Sequence, residues 1–269
     1  MSGRKLGDGS ALALPPAEEV RLMLDGVRNW PTALVTRAGL RPYPFVAKLR
    51  DGRREQINDL GDLLLLAAGW SRYVGPAGAE VAEGPFDGRA QVQLLDGWRW
   101  STYETFVRQD YSVFPVEGRV VLDLGASIGD TATYFAARGA AAVIGYELDS
   151  RVADTARRNL ELNFGLDAIS PGPFEIRTDR LTGDISALIQ EAHDMGLGAP
   201  YLKMDIEGDE YAVLEETPAW DLRQLAGLIL EFHDGARRAL TALRAAGFRT
   251  RIIRDHAWHG TRLGIMAAW

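Results

Sequence analysis

The chain has 269 residues, 46% of them hydrophobic and 25% charged, with a formal net charge of −7 and no cysteine. This is the composition of a globular protein with room for one large domain, or for a core domain plus a smaller unit. It excludes disulfides, zinc–thiolate sites and thiol chemistry, it argues against general nucleic-acid binding, and its uncharged apolar runs of about eight residues fall far short of the roughly 20 that span a bilayer.

Residues 1–15 carry Arg4 and Lys5, but Asp8 and the glycines interrupt any secretory apolar stretch, so a loose N-terminus on a cytoplasmic protein is expected. Residues 16–28 predict an amphipathic helix with Val20, Met23, Leu24 and Val27 on one face. Residues 44–57 predict a hairpin turning at Asp51-Gly52 in a type I′ turn, followed by a short buried helix over 59–68. The Gly- and Pro-rich stretch 71–87 predicts a loop. Residues 90–102 repeat the hairpin signature around Asp96-Gly97, which puts Trp98 and Trp100 on one strand face, either packed on the core or forming a stacking wall for a sugar or other ring. Residues 16–117 thus read as a small α+β accessory or substrate region with two hairpins, and 118–269 as the main domain.

The main domain opens with Val120, Val121, Leu122 and Leu124, the nearly continuous apolar run of a parallel strand covered on both faces. Gly125 and Gly129 supply a sharp turn that lets backbone approach a ligand, and a helical pattern runs from Thr131 to Gly139. A second strand, 142–146, ends in Glu147, which lies 22 positions after Gly125, the distance at which a carboxylate receives a ribose diol. The dinucleotide pattern would need glycine where Ser127 and Asp130 stand, and no Walker-type phosphate loop is present. A glycine pair alone fits an ordinary strand–helix turn; the acid at 147 turns the reading towards a nucleoside cofactor.

Strand and helix then alternate: a helix over 150–163 capped by Ser150, a weak strand over 174–178, a helix capped by Asp184, strands over 201–206 and 227–232, and a helix over 236–246. Residues 248–254 and 263–269 form a closing antiparallel pair, with His256 and His259 in its loop. The expected fold is α/β, a doubly wound, mostly parallel sheet with an antiparallel last strand. Period-two alternation puts Lys203, Asp205 and Glu207 on one face of the fourth strand, and Glu231 and His233 on one face of the fifth. Ionisable groups on interior strands are costly unless paired or opening into a crevice, and in a doubly wound sheet the crevice at the strands' carboxyl ends is the ligand site. A Lys–Asp ion pair plus a helix-capping Glu is the alternative.

The glycine turn, "Y-E-L-D" after the second strand, "N-L-E-L-N" at 159–163, "L-K-M-D-I-E-G-D-E" at 202–210 and "L-E-F-H" at 230–233 together resemble the FkbM family of S-adenosylmethionine-dependent (SAM-dependent) methyltransferases, over about residues 103–269. The resemblance implies a class I, Rossmann-like fold and methylation of a hydroxyl on a sugar, glycan or secondary metabolite. It implies SAM binding by Asp123, Gly125, Ala126, Ser127, Gly129, Asp130, Thr131, Glu147, Leu148, Asp205 and Tyr111, and catalysis by Asp205, Glu207, His233 and Lys203. Asp179 and Asp184 are weak candidates for the adenine-contacting acid; the stretch 163–200 departs from the family pattern.

Such an enzyme would transfer methyl in line, with Asp205 or His233 as general base. A metal-assisted version, less favoured on the sequence, would use Asp205, Glu231 and His233 to hold Mg²⁺ or Mn²⁺. The expected partner is a small-molecule or glycan acceptor, without a membrane. An RNA methyltransferase is the alternative, drawing on Arg237, Arg238, Arg249, Arg251 and Arg254 despite the acidic whole; a SAM-binding protein without catalysis is the other.

Overall fold

A computed structural model describes residues 16–75, 78–86, 90–165, 173–179, 181, 183–258 and 261–269. The expected N-terminal segment 1–15 and His259 lie outside the described residues. Among the described residues no helix is long and apolar enough to cross a membrane.

The chain begins with helices α1 (Ala17–Gly26) and α2 (Trp30–Arg37), the second of which the sequence reading missed. Strands β1 (Phe45–Lys48) and β2 (Arg54–Ile57) form the expected hairpin, and α3 (Leu60–Ala67) is capped by the Asp59 side chain. The hairpin turn is not type I′. Gly52 adopts φ +98° and donates to the Leu49 carbonyl, while Asp51 stays at negative φ. That is a type I turn closed by a left-handed glycine, the usual three-residue loop.

The stretch expected to be a loop holds two strands, β3 (Ser71–Val74) and β4 (Glu80–Phe86), which with β5 (Ala90–Leu95) make a three-stranded antiparallel sheet. Its glycine and proline serve packing. A Cβ on Gly84 would meet the buried Trp70 ring at 2.1 Å. Pro85 lies beyond the part of β4 that pairs with β3, so its missing N–H breaks no ladder on that side. The expected second hairpin does not form, because β5 pairs with β4. After Asp96, at φ +53°, the chain enters a short helix α4 (Trp100–Thr102) that widens into a π turn (Tyr103–Val107). Trp98 and Trp100 therefore share no strand face. Trp98 donates from its indole to Asp62, and Trp100 packs on the Tyr103 ring.

The main sheet has seven strands in the order β11-β12-β10-β9-β6-β7-β8. Their ranges are β6 (Val120–Leu124), β7 (Ala142–Tyr146), β8 (Phe174–Arg177), β9 (Tyr201–Met204), β10 (Gly227–Phe232), β11 (Thr250–Trp258) and β12 (Thr261–Ala268). The first five are parallel; β12 runs antiparallel to β10 and to β11. His256 is therefore a strand residue, opposite Leu263, not a loop residue.

Alternation splits the apolar residues between two cores. Val120, Leu122, Leu124 and Met204 pack with residues of α7 (Ser186–Asp194), α8 (Glu210–Glu216), α9 (Ala219–Leu222) and α10 (Arg237–Ala245). Val121, Val143 and Ile229 belong to the other core, with α5 (Asp130–Ala137), α6 (Ser150–Phe164) and residues of the three-stranded sheet such as Trp70, Phe86 and Leu94. The cap of α6 is Asp149 rather than the expected Ser150. Two asparagines of α6, Asn159 and Asn163, each accept from and donate to the backbone of β5, at Leu95 and Gln93. Their amides complete the hydrogen bonds of that edge strand and dock the small sheet on α6.

Candidate active site

The strand order reverses between β6 and β9, so connections leave in opposite directions and the chain opens at the carboxyl ends of these strands. A cleft of about 270 Å³ lies there, lined by Gly125, Glu147, Leu148, Asp179, Leu181, Asp205, Ile206 and Glu207 among others.

One wall is the turn after β6. Gly125 and Ala126 donate their N–H groups to the Tyr146 carbonyl. Gly125 sits at φ +79°, and a Cβ there would stand 1.8 Å from the Asp205 carbonyl oxygen. Only glycine lets the turn pass this close to the chain leaving β9. Ser127, also left-handed at φ +49°, donates its N–H to Glu147 at 3.0 Å, and the other Glu147 oxygen accepts from Asp149 N–H at 2.9 Å. The acid expected from its spacing thus lies across the mouth of the glycine turn.

Beneath the turn, register puts Asp123 beside Lys203 on the same face of the sheet. Asp123 is 0% and Lys203 1% exposed. The ammonium lies 3.0 Å from Asp123 Oδ1 and donates to the Gly125 carbonyl at 2.6 Å, while Thr131 Oγ1 donates to Asp123 Oδ2 at 2.6 Å. Burial works against the Lys203 charge, but Asp123 and then Asp205 outweigh it and hold its pKa above the ordinary lysine value. Lys203 is thus ion-paired, but with Asp123 of the neighbouring strand rather than with an acid of its own. Lys203, Asp123 and Thr131 brace the turn from below. Asp130 is likewise turned inward, onto Thr105 Oγ1 of the π turn at 3.0 Å, and burial raises its pKa. Ala126 is buried as well, whereas Leu148 is exposed and lines the cleft. Gly129, at φ +78°, starts α5 where a Cβ would crowd Ala156. Of the two adenine-side candidates, Asp179 lines the cleft and Asp184 instead binds Ser186 at the start of α7.

The opposite wall follows β9. Asp205 N–H bonds the Leu124 carbonyl, one step past the strand, and the chain then turns through Glu207 at φ +56° and Gly208. Glu210, which sequence reading missed as a site residue, organises this turn. Its carboxylate is 0% exposed, accepts from Ile206 N–H and Gly208 N–H, and receives His233 Nδ1 at 3.1 Å. The signal was legible in "D-I-E-G-D-E", an acid placed to reach back to free N–H groups at a helix start. Tyr211 holds the other side, donating to Gly235 O and accepting from Asp234 N–H.

His233 Nε2 then stands 3.7 Å from Asp205 and 3.6 Å from Glu207, whose side chain is 89% exposed. Glu231 lies in the same cluster, with ligand-type atoms of Asp205, Glu231 and His233 all within 4.8 Å of one another. Burial, then the charges of Asp205 and Glu104, push Glu231 up to about 8. Burial opposes the charged His233, but the hydrogen bond to Glu210 and the charges of Glu210, Asp205 and Glu231 together outweigh it and raise it to about 9. Burial also raises Asp205. Tyr111 covers this end, its ring 5.9 Å from Lys203 Nζ. The cluster can hold or take up a proton near neutral pH beside the cleft.

Of the arginines expected to form a basic patch, Arg254 is committed to Asp110 and Glu18, and Arg238 to Glu215.

The strand order and the reversed β12 define the class I methyltransferase fold. No protein-family model matches the sequence, and no curated protein matches it. Solved structures match in part. Streptococcus pneumoniae Sp1610, provisionally assigned to tRNA (m1A22) methylation, is 18% identical over 60% of this chain and 68% of its own, with a TM-score of 0.45. EvdMO1 is 17% identical over 69% of this chain, with a TM-score of 0.44, and this chain spans 43% of its length. Aeropyrum pernix fibrillarin, crystallised with S-adenosyl-L-methionine, is 13% identical over 84% of this chain and 94% of its own, with a TM-score of 0.45.

Proposed function

We propose that the chain is an SAM-dependent O-methyltransferase of FkbM type, acting on a hydroxyl of a sugar, glycan or secondary metabolite. One observation carries this reading: Gly125, Glu147 and Asp205 line one cleft at the switch point, and Asp205 also belongs to the cluster with Glu231 and His233. The residues fit the cofactor. Gly125 leaves no Cβ in the cradle, Glu147 stands ready for a ribose diol, and Leu148 and Leu181 offer apolar contact for a base. When bound, SAM supplies a methyl carbon whose bond to sulfur breaks, with its electron pair, as the acceptor oxygen attacks in line.

The chain's own residues do the rest. Lys203 and Asp123 fix the turn and hence the donor's position, a positioning role worth large effective molarities. Asp205 takes the hydroxyl proton, beside the His233 ring that Glu210 orients.

Calorimetric titration of SAM, followed by a screen of hydroxylated acceptors for S-adenosylhomocysteine (SAH) release, tests the reading. Micromolar SAM binding and turnover on an alcohol are expected. Absence of SAM binding would overturn it. Turnover on tRNA with none on small acceptors would move the chain to the RNA-modifying alternative, and tight SAM binding without turnover on any acceptor would leave a binding protein.

A further inference from the structure

We propose that Asp205, Glu231 and His233 form a site for one divalent cation, of the hard to borderline class, at the acceptor end of the cleft. The inference deepens the methyltransferase reading and rests on it for its chemistry, though not for its geometry.

The three side chains come from the carboxyl ends of adjacent strands β9 and β10, and their candidate ligand atoms lie within 4.8 Å of one another. A cation about 2.1 Å from each ligand keeps ligand atoms within about 4.2 Å of one another, so small side-chain rotations close the set. The imidazole is already aimed. Buried Glu210, itself pinned by two backbone N–H groups, takes Nδ1 at 3.1 Å. Nδ1 therefore keeps its proton toward Glu210, and Nε2 faces Asp205 and Glu207, at 3.7 and 3.6 Å, where a bound cation would take the place of the Nε2 proton. Those separations are too long for hydrogen bonds and leave a gap between acceptors. A carboxylate behind a histidine, fixing tautomer and direction, is the usual outer support of a metal-ligating imidazole.

The charge balance agrees. Asp205, Glu207, Glu210 and Glu231 face a single imidazole, while the nearby Lys203 is occupied by Asp123. Two carboxylates and one imidazole suit Mn²⁺ or Mg²⁺ and leave coordination positions for the acceptor, whose hydroxyl would be acidified by direct ligation.

The test titrates Mn²⁺ into chelator-treated full-length protein, with and without saturating SAH, read by calorimetry and by the loss of the free-Mn²⁺ electron-resonance signal. One ion per chain is expected. Glu231→Gln, which keeps the side chain's volume and removes a carboxylate ligand, should weaken it at least tenfold; His233→Gln should do the same. SAH affinity measured on Glu231→Gln should stay within a few-fold of wild type. No Mn²⁺ bound at millimolar concentration, in either state, would overturn the site, as would equal Mn²⁺ affinity in wild type and both variants. Failure to bind SAH would count against the methyltransferase reading alone, because the metal titration is read without it.

Discussion

Replacing Lys203 with methionine keeps the aliphatic length and removes the ammonium, and the consequence can be worked from its surroundings. Asp123 would remain at 0% exposure with Thr131 Oγ1 as its hydrogen-bond donor. Its other oxygen, Oδ1, has no well-formed hydrogen bond and is compensated by the ammonium charge at 3.0 Å. Removing one partner of a buried pair costs about 3–5 kcal/mol, since the remaining charge is uncompensated. At roughly 2–4 °C per kcal/mol for a domain somewhat smaller than this chain, Lys203→Met should lower Tm by about 10 °C. The 2.6 Å bond to the Gly125 carbonyl is lost as well, so SAM affinity should fall with the loosened turn. Asp123→Asn in the Lys203→Met background leaves two neutral groups and should recover at least about 2 kcal/mol, seen as non-additivity in urea unfolding. A loss under about 1 kcal/mol for Lys203→Met, or single changes that add within about 0.5 kcal/mol, would refute the view that this pair braces the turn.

Glu147→Ala should weaken SAM binding at least tenfold by calorimetry, since a hydrogen bond to a charged acceptor is worth about 1.5–3 kcal/mol; equal binding would remove Glu147 from the ribose. Gly125→Ala combines a left-handed φ of +79° with a Cβ 1.8 Å from the Asp205 carbonyl oxygen, and should cost at least about 2 kcal/mol in thermal or urea unfolding. Glu210 is buried, which would raise its pKa, but the His233 hydrogen bond and the Ile206 N–H hold it below the ordinary carboxylate value. Its stabilisation is therefore present above an unfolded pKa near about 4.3 and is lost as pH falls through the folded value. Wild type should lose stability on acidification more steeply than Glu210→Gln, and parallel urea midpoints from about pH 7 to 3 would contradict the assignment.

Much of the site was legible in the sequence because it is written locally. A buried strand, a glycine turn and an acid at the tip of the next strand lie within residues 120–147, and each is a short-range pattern of polarity and backbone freedom. Alternation likewise put Lys203 and Asp205 on one face, and Glu231 and His233 on another, before any strand was paired. The same local reasoning failed where long-range pairing decides. Asp96-Gly97 looked like a hairpin turn, but β5 takes β4 on one side and the Asn159 and Asn163 amides on the other, leaving Trp98–Thr102 no strand to join. Gly84 and Pro85 looked like loop, yet one makes room for Trp70 and the other lies on a free stretch of edge. Only the tertiary structure could show that Lys203 belongs to Asp123, 80 positions away, and that Glu210 aims His233 at Asp205. Periodicity tells which face a charged side chain takes, whereas its partner is chosen by the register between strands distant in the chain.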